Sequence, residues 1–341
     1  MMTPDPFDFV IPLFKVRWNT RAVMEGLTMH YQPRTIHIVT PTTEAAHLRE
    51  QVKNWQVAPL VVHEEEPFFN PVGLSKEAIC AELDLGESLY TPGWFYQQLL
   101  KVGAYEALPN LSEWYLVWDS DLLPVATWPI FQDVGGEIKH SFALLQSNQT
   151  GNAKIVDTWA NWIRSVLQVE PIVDEAGTFI PHHMWFKQSH LKAMAQRVQA
   201  YYQSDEPWLQ LMMRTANEFG TFGEYWIYSS WVTATAPADL SFHPYEAYGA
   251  TTERFFDDGT GLFSAALKLR QAIAELGNEP FSPSYEAVSA FIHAEYGSDE
   301  LPSSLSFESS PRHLKKDEKN MHIEESRSRW NPRKAETTNT A

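Results

Sequence analysis

Cysteine is almost absent from this 341-residue sequence: Cys80 is the only one, which excludes an intrachain disulfide. Set in a helical-looking stretch from Ser75 to Leu85, it reads as a small buried apolar side chain. Long apolar runs are missing too, and none approaches the ~20 residues of a membrane span. The opening Met-Met-Thr-Pro-Asp-Pro lacks the basic region and apolar stretch of a signal peptide, so the expected compartment is the cytoplasm. Positive charge is scarce, with 26 Lys and Arg against 43 Asp and Glu and a formal net charge of −17. Nucleic acid and anionic lipid both need clustered basic side chains, so neither is an expected partner, and any anionic ligand must be bound locally. From Glu308 onward bases slightly outnumber acids, so the acidity belongs to the rest of the chain.

What the sequence does contain is apolar material, 44% of its residues, enough for one large α/β domain or two modest ones. The first half alternates apolar runs of strand length with stretches of helical periodicity, the pattern of a mostly parallel sheet covered by helices. Strands are predicted at Phe7 to Phe14, Thr35 to Thr40, Pro59 to His63 and Trp114 to Trp118, and helices near Thr20 to Tyr31, Thr43 to Trp55 and Ser75 to Leu85. A further helix is expected to start after Thr91, an N-cap residue followed by Pro92, and to run to about Leu108. Beyond Asp121 the periodicity predicts strands near His140 to Gln146 and Phe179 to Lys187 and a helix near Asn152 to Val169. A mainly helical C-terminal part follows: Gln188 to Ser204, Pro207 to Phe219, Phe222 to Ala234, Phe263 to Leu276 and Ser284 to Tyr296. The expected organisation is a single domain over 1–302, with a donor-binding half over about 7–125, and a disordered polar tail over 303–341.

The run Trp114-Tyr115-Leu116-Val117-Trp118 has the continuous apolarity of a strand buried on both faces, and it ends in Asp119-Ser120-Asp121. If the chain stays extended there, residues two apart point to one side and both carboxylates reach a common point while Ser120 faces away. That suits a hard cation such as Mg²⁺ or Mn²⁺, which takes one or two carboxylates plus substrate phosphates. Strand carboxyl ends are also where open α/β sheets bind ligands. A turn capped by its own aspartates is the competing reading. Apolar residues on both sides favour the metal, because charges set between such runs need a partner.

On the helix beginning at Pro92, Phe95, Leu99 and Val102 form a core stripe, while Trp94, Gln98 and Lys101 recur on another face with Gln97 beside Lys101. Gln and Lys are ordinary solvent-facing helix formers. Four segments in order, Pro-Gly-Trp-Phe-Tyr-Gln-Gln-Leu-Leu-Lys (92 to 101), Tyr-Leu-Val-Trp-Asp-Ser-Asp (115 to 121), Pro-His-His-Met-Trp-Phe (181 to 186) and Gly-Glu-Tyr-Trp-Ile-Tyr (223 to 228), change that balance. Together they resemble a poorly characterised GT-A-like family of bacteria and fungi, of the Asp-X-Asp type, whose members are regarded as glycosyltransferases. The opening Phe-Val-Ile-Pro, 9 to 12, also looks like the first strand of GT-A enzymes.

The resemblance covers roughly residues 7 to 250. It implies a GT-A-like, Rossmann-like fold and metal-dependent transfer of a sugar from a nucleoside diphosphate to a glycan or other hydroxyl acceptor. It makes Trp94, Gln97, Gln98, Lys101 and Pro12 donor-binding candidates, with Lys15 and Arg17 after the first strand placed to meet a phosphate. Asp119 and Asp121 are the expected metal ligands. Of the two histidines in the third segment, His182 shares its side with Met184 and Phe186 and reads as core; His183 is the expected site residue, as a metal ligand or phosphate donor. His243 is a further possible ligand, since GT-A enzymes often place a late histidine on the metal. Glu224, at the head of an aromatic helix, is the candidate base, with Tyr225 and Tyr228 near it as acceptor-binding candidates. Two rivals remain: a metal-dependent nucleotidyl- or phosphotransferase, and a GT-A-shaped nucleotide-sugar-binding protein without turnover.

Overall fold

The computed structural model describes residues 5–83, 91–144, 153–172, 182–220, 222–244, 252–256, 283–296 and 304–308. The N-terminal half runs β1 (Asp8–Pro12), α1 (Thr20–Tyr31), β2 (Thr35–Thr40), α2 (Thr42–Gln51), β3 (Leu60–Glu64), α3 (Lys76–Ala81), α4 (Pro92–Val102), α5 (Ala104–Ala107) and β4 (Trp114–Trp118). It continues through β5 (Leu122–Pro124), β6 (Phe131–Val134), β7 (Glu137–Leu144), α6 (Ala153–Trp162) and β8 (His183–Lys187). The last described elements are α7 (Gln188–Tyr202), α8 (Trp208–Phe219), α9 (Glu224–Thr235), β9 (Leu240–Pro244), β10 (Thr252–Phe256), α10 (Tyr285–Tyr296) and β11 (Ser304–Glu308).

The central sheet has the order β3-β2-β1-β4-β8. Its first four strands are parallel, and β8 closes one edge antiparallel to β4 with Trp118 opposite His183. Phe9, Val10, Ile11, Leu116 and Val117 are all fully buried, as strands covered by helices on both faces must be. The α/β class, the mostly parallel sheet and the flanking helices therefore agree with the periodicity. The helix expected to run to about Leu108 breaks at Gly103. A side chain there would meet Leu209, Phe69 and the Leu99 carbonyl at 2.9 Å, so only glycine lets these elements close up.

The expected polar tail begins too early. Ser304–Glu308 is a strand, β11, lying between β10 and β5 with Ser304 opposite Pro124 and Leu305 opposite Leu123. Ser304, Leu305 and Ser306 are buried, so backbone pairing overrides the polar composition. Residues 309–341 and the helix expected at Phe263 to Leu276 fall outside the described residues. Among the described residues no helix is long and apolar enough to cross a membrane.

Two half-buried histidines give the fold a pH dependence. His63 lies 3.0 Å from His37, and His140 stacks on Trp114 with ring centroids 3.8 Å apart. Burial first, then His37 and Arg49, lowers His63 to about 4; burial and the Lys187 charge lower His140 to about 4. The folded state thus prefers both rings neutral. Their contribution is complete above the unfolded histidine pKa of about 6.5 and is lost as pH falls towards 4, at most on the order of 3 kcal/mol per ring before solvent screening reduces it. Denaturant melts from pH 7 to pH 4 should show this loss, which His63→Gln and His140→Gln should each reduce.

Candidate functional site

A cleft of about 610 Å³ opens at the carboxyl ends of the parallel strands. Pro12 ends β1, Val39 lies near the end of β2, Glu65 follows β3 and Asp119 follows β4, and all four line it. One long wall is α4. Its start is set locally: the Thr91 hydroxyl accepts from the Trp94 amide at 3.3 Å and Pro92 occupies the first helical position. That seating turns Gly93, Trp94, Gln97, Gln98 and Lys101 to the cleft. The facing wall is the start of α9, with Gly223, Glu224 and Tyr225. Trp159 of α6 packs on Gly223 so tightly that a Cβ there would lie 2.8 Å from the indole.

Lys101 is the centre of the floor. Its side chain is only 4% exposed, and its Nζ donates to Asp119 Oδ1 at 2.8 Å and to Glu224 Oε1 at 2.7 Å while lying 4.5 Å from the Tyr225 ring centroid. The Tyr225 hydroxyl donates to the same Asp119 oxygen at 2.8 Å, and His182 Nδ1 lies 3.1 Å from Oδ2. With its amide oriented to satisfy both sides, Gln98 donates to the Glu224 carboxylate. Burial alone would depress the Lys101 pKa, but the two carboxylates outweigh it and hold the ammonium above its ordinary value. Burial likewise pushes Asp119 up, yet Lys101 and His182 bring it well below the usual carboxylate range. For Glu224 burial prevails over Lys101, with Asp119 adding to it, and its pKa rises. Tyr225 is raised well above an ordinary phenol by burial and by the same two carboxylates.

The sequence-predicted residues separate accordingly. Pro12, Lys15, Arg17, Trp94, Gln97, Gln98, Lys101, Asp119, Asp121, Glu224 and Tyr225 share the cleft. Lys101 differs in role from expectation, since its ammonium is committed to two carboxylates rather than presented to a phosphate. The Asp-Ser-Asp segment does not stay extended. The strand ends at Trp118, and the Leu122 amide donates to the Asp119 carbonyl at 3.0 Å, closing a turn that leaves Ser120 lining the cleft with both aspartates.

The two adjacent histidines exchange the roles expected of them. His183 is buried against Trp118, with ring centroids 4.8 Å apart, and against Trp128. His182 lines the cleft. Strand alternation begins only at His183; His182 sits before the strand with φ +60°, a left-handed backbone that breaks the alternation and points its ring to Asp119. Tyr228 is fully buried elsewhere, accepting from the Lys187 amide at 2.8 Å, because the second turn of α9 already packs against β8 and α7. His243 lies in β9, whose backbone pairs with β7.

The two expected metal ligands are unequal. Asp119 already takes three donors, one of them an ammonium, which leaves it poorly placed to chelate a cation. Among the described residues no group of three or more His, Cys, Asp and Glu is placed to hold a metal ion. Asp121 at the cleft fits the other mode open to a hard cation, one carboxylate completed by substrate oxygens.

Glu65, Lys76 and Trp159 line the cleft without having been anticipated. Lys76 pairs with Glu65 at 2.9 Å. Glu65 does carry a signal, since the Glu64-Glu65-Glu66 run stands at the end of an apolar strand as Asp119 does. Trp159 carries none, because only the packing of α6 on Gly223 brings its indole to the cleft.

Solved structures similar to this chain include mouse xyloside xylosyltransferase 1, at 12% identity and a TM-score of 0.38 over 74% of this chain and 88% of that one. An active-site mutant of LgtC is 10% identical with a TM-score of 0.39, over 88% and 87%. The 4-diphosphocytidyl-2C-methyl-D-erythritol synthase of Anaerococcus prevotii is 8% identical with a TM-score of 0.28, over 59% and 84%. These are loose likenesses, and the functional reading rests on the cleft itself. No curated protein matches the chain. The model of DUF6492, described as a family of unknown function, matches residues 19–255, more than half of the sequence, and the chain belongs to that family.

Proposed function

We propose that the chain is a glycosyltransferase that takes a sugar from a nucleoside-diphosphate donor to a hydroxyl acceptor. The observation that carries this is the polarity of the cleft. Lys15 and Arg17 stand on the loop after β1, while the floor holds Asp119 and Glu224 around Lys101. Lys15 is exposed. A diphosphate is drawn to the basic loop and a hydroxyl-rich sugar to the carboxylates, with the aromatic rings of Trp159 and Tyr225 beside it.

In this reading Lys101 is a positioning residue that fixes both carboxylates. Glu224 is the candidate base, its raised pKa being the direction that proton abstraction from an acceptor hydroxyl needs. Asp121 would hold Mn²⁺ or Mg²⁺ together with donor oxygens, and such an ion supplies charge stabilisation to a departing diphosphate.

Thermal melts of the protein with UDP-, dTDP-, GDP- and ADP-sugars, each with and without Mn²⁺, test the proposal. A donor at 100 times its dissociation constant should stabilise by about 2.7 kcal/mol, a rise of about 5 °C in Tm. No shift with any of them would end the nucleotide-sugar reading. A product analysis yielding sugar phosphate and nucleoside monophosphate, rather than nucleoside diphosphate, would replace transfer of a sugar with nucleotidyl chemistry.

A further inference from the structure

The floor of the cleft offers a ligand an uneven balance of groups. Asp119 and Glu224 bring two carboxylates, Lys101 one ammonium, and His182 an imidazole 3.1 Å from Asp119. The ammonium is spent: it donates to both carboxylates and stands against the Tyr225 ring. The Gln98 amide is turned to Glu224, and the Tyr225 hydroxyl to Asp119. The strongest donors on the floor are therefore used within the protein; Asp119, with three donors on its about four lone-pair sites, and Glu224, met by Lys101 and Gln98, each keep a remaining acceptor site. Glu224 is 5% exposed, Lys101 3% and Gln98 3%, so solvent screens little of their charge.

Acceptors in a poorly screened, net negative setting have a definite complement. Sugar hydroxyls donate hydrogen bonds to them without adding charge. A carboxylate on the ligand would bring only acceptors against acceptors and a like charge into the same volume, where the lysine is already committed to Asp119 and Glu224.

We infer that the site selects donors whose sugar is neutral and hydroxyl-rich and rejects uronic acids and other anionic sugars, Glu224 and Asp119 being the determinants. This rests on the nucleotide-sugar reading above and narrows it to a substrate class.

The test is a ligand series on the wild-type protein, which removes any question of a variant's folding. For each nucleotide whose neutral sugar binds in the melts, Kd is measured by calorimetry, with Mn²⁺ present, for three matched donors: the hexose, its uronate and its uronamide. The uronamide has nearly the shape of the uronate but no charge. The expected result is a uronate about tenfold or more weaker than the hexose, the scale for like charges at short range, with the uronamide restored to within about threefold. Equal binding of hexose and uronate overturns the inference while leaving the nucleotide-sugar reading intact. A uronamide as weak as the uronate also overturns it, because shape rather than charge would then be excluded. Binding of no nucleotide sugar at all defeats the functional reading itself, and the inference with it.

Discussion

Replacing Lys101 by methionine is expected to destabilise the fold by about 3–5 kcal/mol, the cost of leaving buried carboxylates without their cation. The lysine is 3% exposed and joins Asp119, which follows β4, to Glu224 at the start of α9. Methionine preserves most of the volume, so the loss measures charge rather than a cavity. Neutralising the partners as well should recover much of it: Lys101→Met with Asp119→Asn and Glu224→Gln is expected to melt above the single variant, because no unpaired charge stays buried. Chemical denaturation of the wild type, the single variant and the triple variant separates the cases. A single variant as stable as wild type would mean that the ammonium is not the neutralising group of the floor.

The second large effect is expected at Asp121. Asp121→Asn should lower transferase turnover by about 10²–10³-fold, the magnitude typical of losing one electrostatic stabiliser of a transition state. It should also remove the Mn²⁺-dependent part of donor stabilisation, read as the difference in Tm with and without Mn²⁺ at saturating donor. Asp119→Asn is expected to behave differently, losing stability in the absence of any ligand because Lys101, Tyr225 and His182 all address that carboxylate. If Asp121→Asn keeps metal-dependent donor binding, Asp121 is not the cation's ligand.

Much of the scaffold was legible residue by residue. Thr20–Tyr31, Thr35–Thr40 and Trp114–Trp118 form the predicted elements with the predicted bounds. Their signals are local: a period near 3.6 or an unbroken apolar run, with caps and turn residues at the ends. The Thr91 and Pro92 start of α4 belongs to the same class, and so do Phe95, Leu99 and Val102, which are fully buried. A two-residue Gly135-Gly136 turn between β6 and β7 was equally readable as a hairpin signal and was missed.

The site was legible as a set of segments and not as a set of contacts. Ordered motifs brought α4, the acidic turn and the start of α9 into one proposal, and the cleft does gather them. Alternation failed at His182 and His183, since it holds only inside a strand and the strand begins at His183, after the left-handed residue. Tyr228, expected near Glu224 and one turn further along α9, instead lies in the core, where its hydroxyl accepts from the Lys187 amide.

The sequence by itself determined the α/β class, most element positions, the polarity of the chain and the segments that would meet at the sheet's carboxyl edge. The first three follow from periodicity, propensity and charge, which act over a few neighbouring residues, and the grouping of the segments follows from the family resemblance of the four ordered motifs. Only the tertiary structure decided that Lys101 would face two carboxylates instead of a phosphate, that Asp119 would be occupied at the floor while Asp121 lines the cleft, and that β11 would complete a sheet with β5. Lys101 and Glu224 are 123 positions apart, and no local rule relates them. Their meeting depends on how α9 packs across α4, and it is that packing which turns a solvent-type lysine into the buried counter-ion of the site.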